Sequence, residues 1–378
     1  MSIGENWGFV DTLEPRFAAM VARLDKIAER DPAAYRRRVI AAGLLGYAVV
    51  GGVLAVLAAP IIIILTFSTT VDAAIGDPLR WAIVLGLVAL VLFSAFRLTV
   101  PALPGVPVIQ GEVPELFALI ERTRQAIGAP PLGQVRICDG VNAHVLPVTR
   151  LGGLFTRHVL VIGLPLFYAL QPAGLEALIA HELGHLALRH GLFVYGARMR
   201  WRQIGRRVPG GLFARVLGRF FAWYGPWYLA QSQALLRRNE YQADQLAARV
   251  VGTKVMAAMQ ERVAYKWARY NHLRGVAAEH IARYHDPNLI DWPELLRSLS
   301  QDHDRDGNVL GEMLFHRGAL TDSHPRLLHR LDALGGTVTL ELAAGQPTAV
   351  TLLGPTAKMV LDKMLRTGEW FEGFQLAN

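Results

Sequence analysis

The residues best able to do chemistry stand in one five-residue run, His181-Glu182-Leu183-Gly184-His185. Histidines four residues apart project from the same face of a helix, so both imidazoles can reach one metal ion while Glu182 sits beside an open coordination position. That is the spacing a metal-bound water and its general base require. Alone, the run could be a pair of exposed helical histidines. Two neighbouring features speak against this. Leu175, Leu178, Ile179, Leu183 and Leu186 form an apolar set that would bury the helix, and Gly184 lets a second backbone come close. The expected metal is zinc, one Zn2+ per chain. Cys138 is the single cysteine, which excludes a cysteine-based cluster, fits a reducing compartment and leaves metal binding to His, Asp and Glu.

A catalytic zinc needs a third protein ligand. The extended three-histidine pattern would place a glycine and a histidine where this sequence has Leu188 and Gly191, so that pattern is excluded. His190 falls one position short and reads as a C-terminal helix residue favoured by the dipole. The best remaining segment is Arg238-Asn239-Glu240-Tyr241-Gln242-Ala243-Asp244, where Glu240 and Asp244 share one helix face. Glu240 can ligate, and Asp244 can accept the other ring N–H of a metal-bound imidazole, fixing its tautomer. Beside Arg237 and Arg238 the same residues could be an ordinary charged helix face. The first motif favours the ligand reading.

Several elements must position these groups. Pro172 and Gly191 bracket a helix of about five turns around the first motif. A helix is expected over Glu112 to Ile127, and strands over Gln134 to Cys138 and His158 to Gly163, with Val141 to Val145 a candidate third strand. Helices dominate from there to about Tyr284. Upstream the chain looks different. Hydrophobic residues make up 52% of the sequence, and no charge interrupts Val39 to Phe67, a run long enough to cross a hydrocarbon core of about 30 Å. Trp81 to Phe96, extended by Leu98 to Val100, reads as a second span that Pro101 and Pro104 end. Arg36, Arg37 and Arg38 precede the first span, so that flank is expected to stay cytoplasmic, with everything after about residue 101 on the same side of a bacterial inner membrane. Arg189 and His190 directly after the first motif argue against a site inside the bilayer.

Met1 to Arg38 is charged throughout and reads as an amphipathic helix with Phe17, Met20, Val21, Leu24 and Ile27 on one face, not as a secretory signal. Leu192 to Leu236 interleaves arginines with aromatic residues. That pattern suits either the headgroup layer or half-buried helices packed on the core. The formal charge of +8 suits anionic lipid, and no specific nucleic acid is expected. Asp302 to Gly307 imitates the start of a calcium loop, but the twelfth position is Met313 and Glu312 falls one residue early, so an acidic turn is the better reading. The organisation that emerges is an N-terminal segment 1–38, two transmembrane helices within 39–100, a domain 101–334 that carries the candidate metal site and a segment 335–378 with no assigned role.

Three segments together, the histidine run following Ala177-Leu178-Ile179-Ala180, the Glu240 to Asp244 segment, and His324-Pro325-Arg326-Leu327-Leu328-His329-Arg330, resemble the membrane zinc metallopeptidases that include the CAAX prenyl proteases and the heat-shock protease HtpX. The resemblance covers roughly Glu112 to Leu331. It implies a zincin-like fold, mostly α with a small β-sheet whose edge receives substrate. It further implies that His324 donates a hydrogen bond to the oxyanion at the scissile carbonyl and that Arg330 supports it or the substrate. Asn142 and Ala143 resemble the family's substrate-lining edge strand, although His144 stands where an aromatic is usual. The weak hydropathy of Leu192 to Leu236 is closer to members anchored only at the N-terminus. The function implied is a membrane-anchored zinc-dependent endopeptidase acting on peptide or protein substrates, in membrane-protein quality control or the maturation of a precursor. A rival is a catalytically weak membrane chaperone or adaptor with a zinc-structured peptide cleft, against which the intact Glu182 stands. A zinc hydrolase of a small amide or ester would need a closed pocket instead.

Overall fold

The computed structural model describes residues 14–67, 79, 81–86, 103–150, 155–188, 194, 196–198, 212–284, 286, 289–301, 325–335 and 347–367. The expected N-terminal amphipathic helix is two helices, α1 (Glu14–Arg30) and the start of α2 (Pro32–Phe67). Asp31 divides them: its Oδ1 accepts the Ala34 N–H at 2.9 Å, and Pro32 supplies a first helical residue that needs no hydrogen-bond acceptor. Phe17, Val21 and Leu24 are buried, as the spacing predicts.

α2 is continuous over 36 residues, about 54 Å at 1.5 Å per residue. Val39, Ala42 and Val50 are buried against protein, while Leu44, Leu45, Val56 and Ile63 are exposed. Past residue 53 its side chains are described only in part, and among the described residues no helix is long and apolar enough to cross a membrane. Of the second expected span only the helical turn 81–86 is described.

The sheet has the order β1-β2-β4-β3, built from β1 (Val106–Val108), β2 (Gln134–Cys138), β3 (Ala143–Arg150) and β4 (Phe155–Gly163). β2 and β4 run parallel; the other pairings are antiparallel. The two expected strands are present. The third is present too but runs further than expected, because Leu146 and Val148 continue the apolar alternation and pack on the sheet face that carries Cys138. The short β1 has no counterpart in the expectation.

One sheet face, with Ile137, Ala143, Leu160 and Ile162, packs on α3 (Pro114–Ile127) and α5 (Pro172–Leu188). The other carries Cys138, Val159 and Val161, so the lone cysteine is a small buried apolar residue. β4 runs directly into α4 (Leu164–Ala169) at Gly163, where an added Cβ would fall 1.5 Å from the Gly140 carbonyl oxygen. No side chain fits that junction.

Two long helices complete the body, α6 (Leu212–Val251) and α7 (Thr253–Tyr284), followed by α8 (Trp292–Ser298) and α9 (Leu327–Ala333). The stretch read as ambiguous between headgroup layer and packed helix is therefore helical from Leu212 onward. The C-terminal segment closes the core. Ala349 N–H bonds Leu170 O at 2.7 Å, Thr356 Oγ1 donates to Glu112 O at 3.0 Å, and Val360, Leu361 and Met364 of α10 (Thr356–Thr367) are buried. Each such apolar side chain contributes about 1.5–3 kcal/mol by leaving water.

Candidate metal centre

α5 begins at Pro172 and buries Leu175, Ile179, Ala180 and Leu183 completely, so it is a core helix with one polar stripe. α6 packs against it. They come close at Gly184, where an added Cβ would lie 3.4 Å from both Cα and O of Ala243, the residue just before Asp244. The glycine thus serves the close approach the sequence suggested, and it brings the Glu240 to Asp244 face onto the histidines.

His181 Nε2 lies 3.1 Å from His185 Nε2 and 3.6 Å from Glu240 Oε2, and His185 Nε2 lies 3.3 Å from Glu240 Oε1. Donors about 2.0–2.1 Å from a tetrahedral zinc stand about 3.3 Å apart, so these three separations are those of a tetrahedral edge. The donor types suit zinc as well, and no fourth protein donor joins the group among the described residues. His181 and Glu240 side chains are 4% and 8% exposed and His185 is 30% exposed, so the site opens past His185.

The electrostatics also ask for a cation. Burial opposes charge on His181, but Asp244 and Glu240 outweigh it and raise its pKa to about 10. Asp244 Oδ1 stands 2.8 Å from His181 Nδ1, the ring nitrogen opposite Nε2. Burial would raise the Asp244 pKa, yet hydrogen bonds from Arg330 and His181 hold it far below the usual carboxylate range.

Arg330, on α9, grips that carboxylate with both arms: Nε donates to Oδ2 at 2.8 Å and an Nη donates to Oδ1 at 2.6 Å. The same Nη is 3.9 Å from Glu240 Oε2. Burial disfavours the guanidinium charge, but Asp244, Glu240 and Glu182 together push its pKa up, so it stays cationic. Its observed contacts are to Asp244, behind the histidine. Asp244 pairing with His181 was legible from the helix face; the Arg330 clamp was not, since 86 residues separate the two and no local pattern links them.

Of the other expected site residues, Ala143 is buried at the start of β3, Asn142 is half-buried, and β3 packs on α5. His324 lies outside the described residues; Pro325, next to it, is buried. Residues 302–310 and 190 also lie outside them. His144 gains significance here. Its Nδ1 is buried with no hydrogen-bond partner among the described residues, and burial lowers its pKa, opposed by the charge of Glu182.

The profile of Peptidase family M48 matches residues 114–338. No curated protein and no solved structure matches the chain.

Proposed function

The chain belongs to peptidase family M48, and from that premise we propose that it is a membrane-anchored, zinc-dependent endopeptidase that cuts extended segments of protein substrates, in the quality control of membrane proteins. The observation that carries the reading is the triangle of His181, His185 and Glu240 donors at tetrahedral spacing. These three residues would hold the ion. A zinc ion there supplies Lewis acidity toward the scissile carbonyl and lowers the pKa of water. Glu182 accepts the proton of the attacking water and hands it to the leaving nitrogen. Asp244 keeps His181 turned toward the site, and Arg330 keeps Asp244 charged and fixed. His324 donates to the oxyanion of the tetrahedral intermediate. The peptide lies along the free edge of β3 beside Ala143, adding to the sheet through its backbone.

Membrane anchoring draws support from the register of two helices. Tyr35 OH donates to Gln231 O at 2.7 Å, and Tyr224 OH donates to Ala42 O at 2.5 Å, so α2 and α6 run antiparallel with Arg36–Arg38 level with residues 228–230. The exposed Trp223 and its stacked neighbour Trp227 then stand level with the first uncharged turn of α2. Arginines and aromatic residues thus fall at one level on two separate helices, the pattern expected at a membrane–water boundary. Glu240 lies 240 − 227 = 13 residues further along α6, about 20 Å at 1.5 Å per residue, on the side away from the apolar part of α2.

The test is zinc content and cleavage of unfolded casein by the purified chain, beside Glu182→Gln. We expect one zinc per chain in both, and cleavage slowed at least about 100-fold in the variant. Equal cleavage by Glu182→Gln would refute the mechanism. A zinc-loaded wild type that binds casein without cutting it would favour the adaptor reading.

A further inference from the structure

Pairing of a peptide with β3 depends on which backbone groups that strand leaves free, and the strand register fixes them. Gly163 N–H donates to Asn142 O at 2.8 Å, which makes Asn142 and Gly163 a hydrogen-bonded pair at the start of the β3–β4 ladder. In an antiparallel ladder such pairs alternate with pairs whose N–H and C=O groups point away from each other. Along the register Ala143↔Ile162, Val145↔Leu160 and Pro147↔His158 are therefore the outward pairs. Among the described residues β3 is the last strand of the sheet, so residues 143, 145 and 147 present their main-chain groups to an edge that no described strand covers.

Ala143 and Val145 each offer a donor and an acceptor there. Residue 147 is proline and offers only its carbonyl. The parity agrees with the chemistry of the residue, because a proline facing β4 would have cost a ladder bond, whereas one facing outward costs the sheet nothing. The catalytic end of the strand is the other one. Ala143 is buried in the core cluster that contains Leu183, next to Glu182, and Pro147 is four residues further on, about 13 Å at 3.3 Å per residue. Any limit set by Pro147 thus falls on one side of the scissile bond only.

We propose that Pro147 is a specificity-determining residue that ends the pairing edge after two complete rungs, so that the enzyme holds its substrate as a short β-strand and gains at most one main-chain hydrogen bond, to the Pro147 carbonyl, from residues lying past the partner of Val145. The proposal rests on the peptidase reading above. It defines the substrate class by length of engaged strand rather than by side chain: a segment needs only a few extended residues on that side of the cut, and continuous β-structure beyond them brings little advantage. The shortened edge also gives another copy of the chain little to pair with.

The experiment uses the full-length wild type, Pro147→Ala and Val148→Ala. The last alters the same strand at an inward pair, Val148↔Arg157, and adds no outward donor. A peptide cut by the wild type is taken from its casein digest and then trimmed one residue at a time from each end, with kcat and KM measured for each length. In the wild type, kcat/KM should rise only weakly with length, at one end, beyond the residue paired with Val145. In Pro147→Ala that limit should move outward by two residues, with KM for the longest peptides falling about two- to tenfold, the worth of one added backbone hydrogen bond, and kcat unchanged. Val148→Ala should keep the wild-type limit. A limit that is the same in Pro147→Ala and wild type, at both ends, overturns the role of Pro147 while leaving the peptidase reading intact. A wild type that cuts no casein overturns both.

Discussion

The two halves of α6 belong to the same helix but are held by different physics. Its first half packs on α1 and α2 through Phe221, Tyr224, Tyr228 and Leu229, with Tyr224 and Tyr228 stacked at 5.7 Å and Phe220 and Tyr224 at 4.9 Å. Burial there is tolerant of unmet polar atoms: the Tyr228 hydroxyl and Gln231 Oε1 are buried with no hydrogen-bond partner among the described residues. The second half packs on α5 through small residues, Ala243 against Gly184 and the fully buried Ala247, and there each buried charge has an answer, Asp244 in Arg330 and His181. Apolar area is non-directional and holds the first half together; paired charges are directional and set the second to within a fraction of a bond length. Position is what a metal site needs, so it stands where directional forces dominate.

The sharpest way to break this comparison is to remove a group from the directional half. Glu240→Ala leaves two histidines, and zinc affinity measured by competition with a chelator should fall by more than the roughly 10- to 100-fold that loss of an outer partner costs. Wild-type affinity would strike Glu240 from the ligand set. Asp244→Asn should fall within that 10- to 100-fold range, with the protein still folded. Arg330→Met should add a folding defect, because it strands the Asp244 carboxylate, 2% exposed, without its cation; breaking a buried pair in this way costs about 3 kcal/mol. If Arg330→Met lowered kcat alone and left zinc affinity and melting temperature unchanged, Arg330 would act on substrate rather than through Asp244.

The pH dependence of zinc binding sharpens the same point. The metal-free His181 has its pKa raised to about 10, so at neutral pH a proton must leave before the imidazole can ligate. Raising the pH removes that competition, and zinc affinity should climb about tenfold per pH unit through the neutral range, levelling only as pH nears the raised pKa. In Asp244→Asn the carboxylate that favours the proton is gone, and the slope should flatten. An identical slope in both proteins would mean that Asp244 does not set the charge state of His181.

How much of this was legible in the sequence follows the same division. The histidine run, Glu240 and Asp244 were readable because a helix turns a four-residue spacing into a shared face, and the strands over residues 134–138 and 158–163 were readable from their Val and Ile content. The break at Asp31 was carried by a cap and a proline inside an otherwise continuous amphipathic pattern, which periodicity alone passes over. β1 is three residues long and gains its place only by pairing with β2. The clamp of Arg330 on Asp244 is a tertiary fact, made by α9 returning to α6. Likewise the role of residues 349–367 as a wall of the core needed the partners Leu170 and Glu112 to become visible.

The smallest expected effects lie in the apolar half, and there two tyrosines one turn apart on α6 provide the test. Tyr224 donates to Ala42 O at 2.5 Å, joining α6 to α2, whereas the Tyr228 hydroxyl is buried without a partner among the described residues. Deleting a hydroxyl that makes a buried hydrogen bond costs about 0.5–1.5 kcal/mol, while deleting one that makes none removes only a desolvated polar atom. Tyr224→Phe should therefore lower the melting temperature by about 2–4 °C per kcal/mol lost, and Tyr228→Phe should leave it unchanged or raise it slightly. Zinc affinity should stay at the wild-type value in both, since 240 − 228 = 12 residues of helix, about 18 Å, separate the nearer tyrosine from Glu240. A loss of stability in Tyr228→Phe equal to that in Tyr224→Phe would show that its hydroxyl is engaged after all, and the apolar half would then be specified by directional contacts as the metal half is.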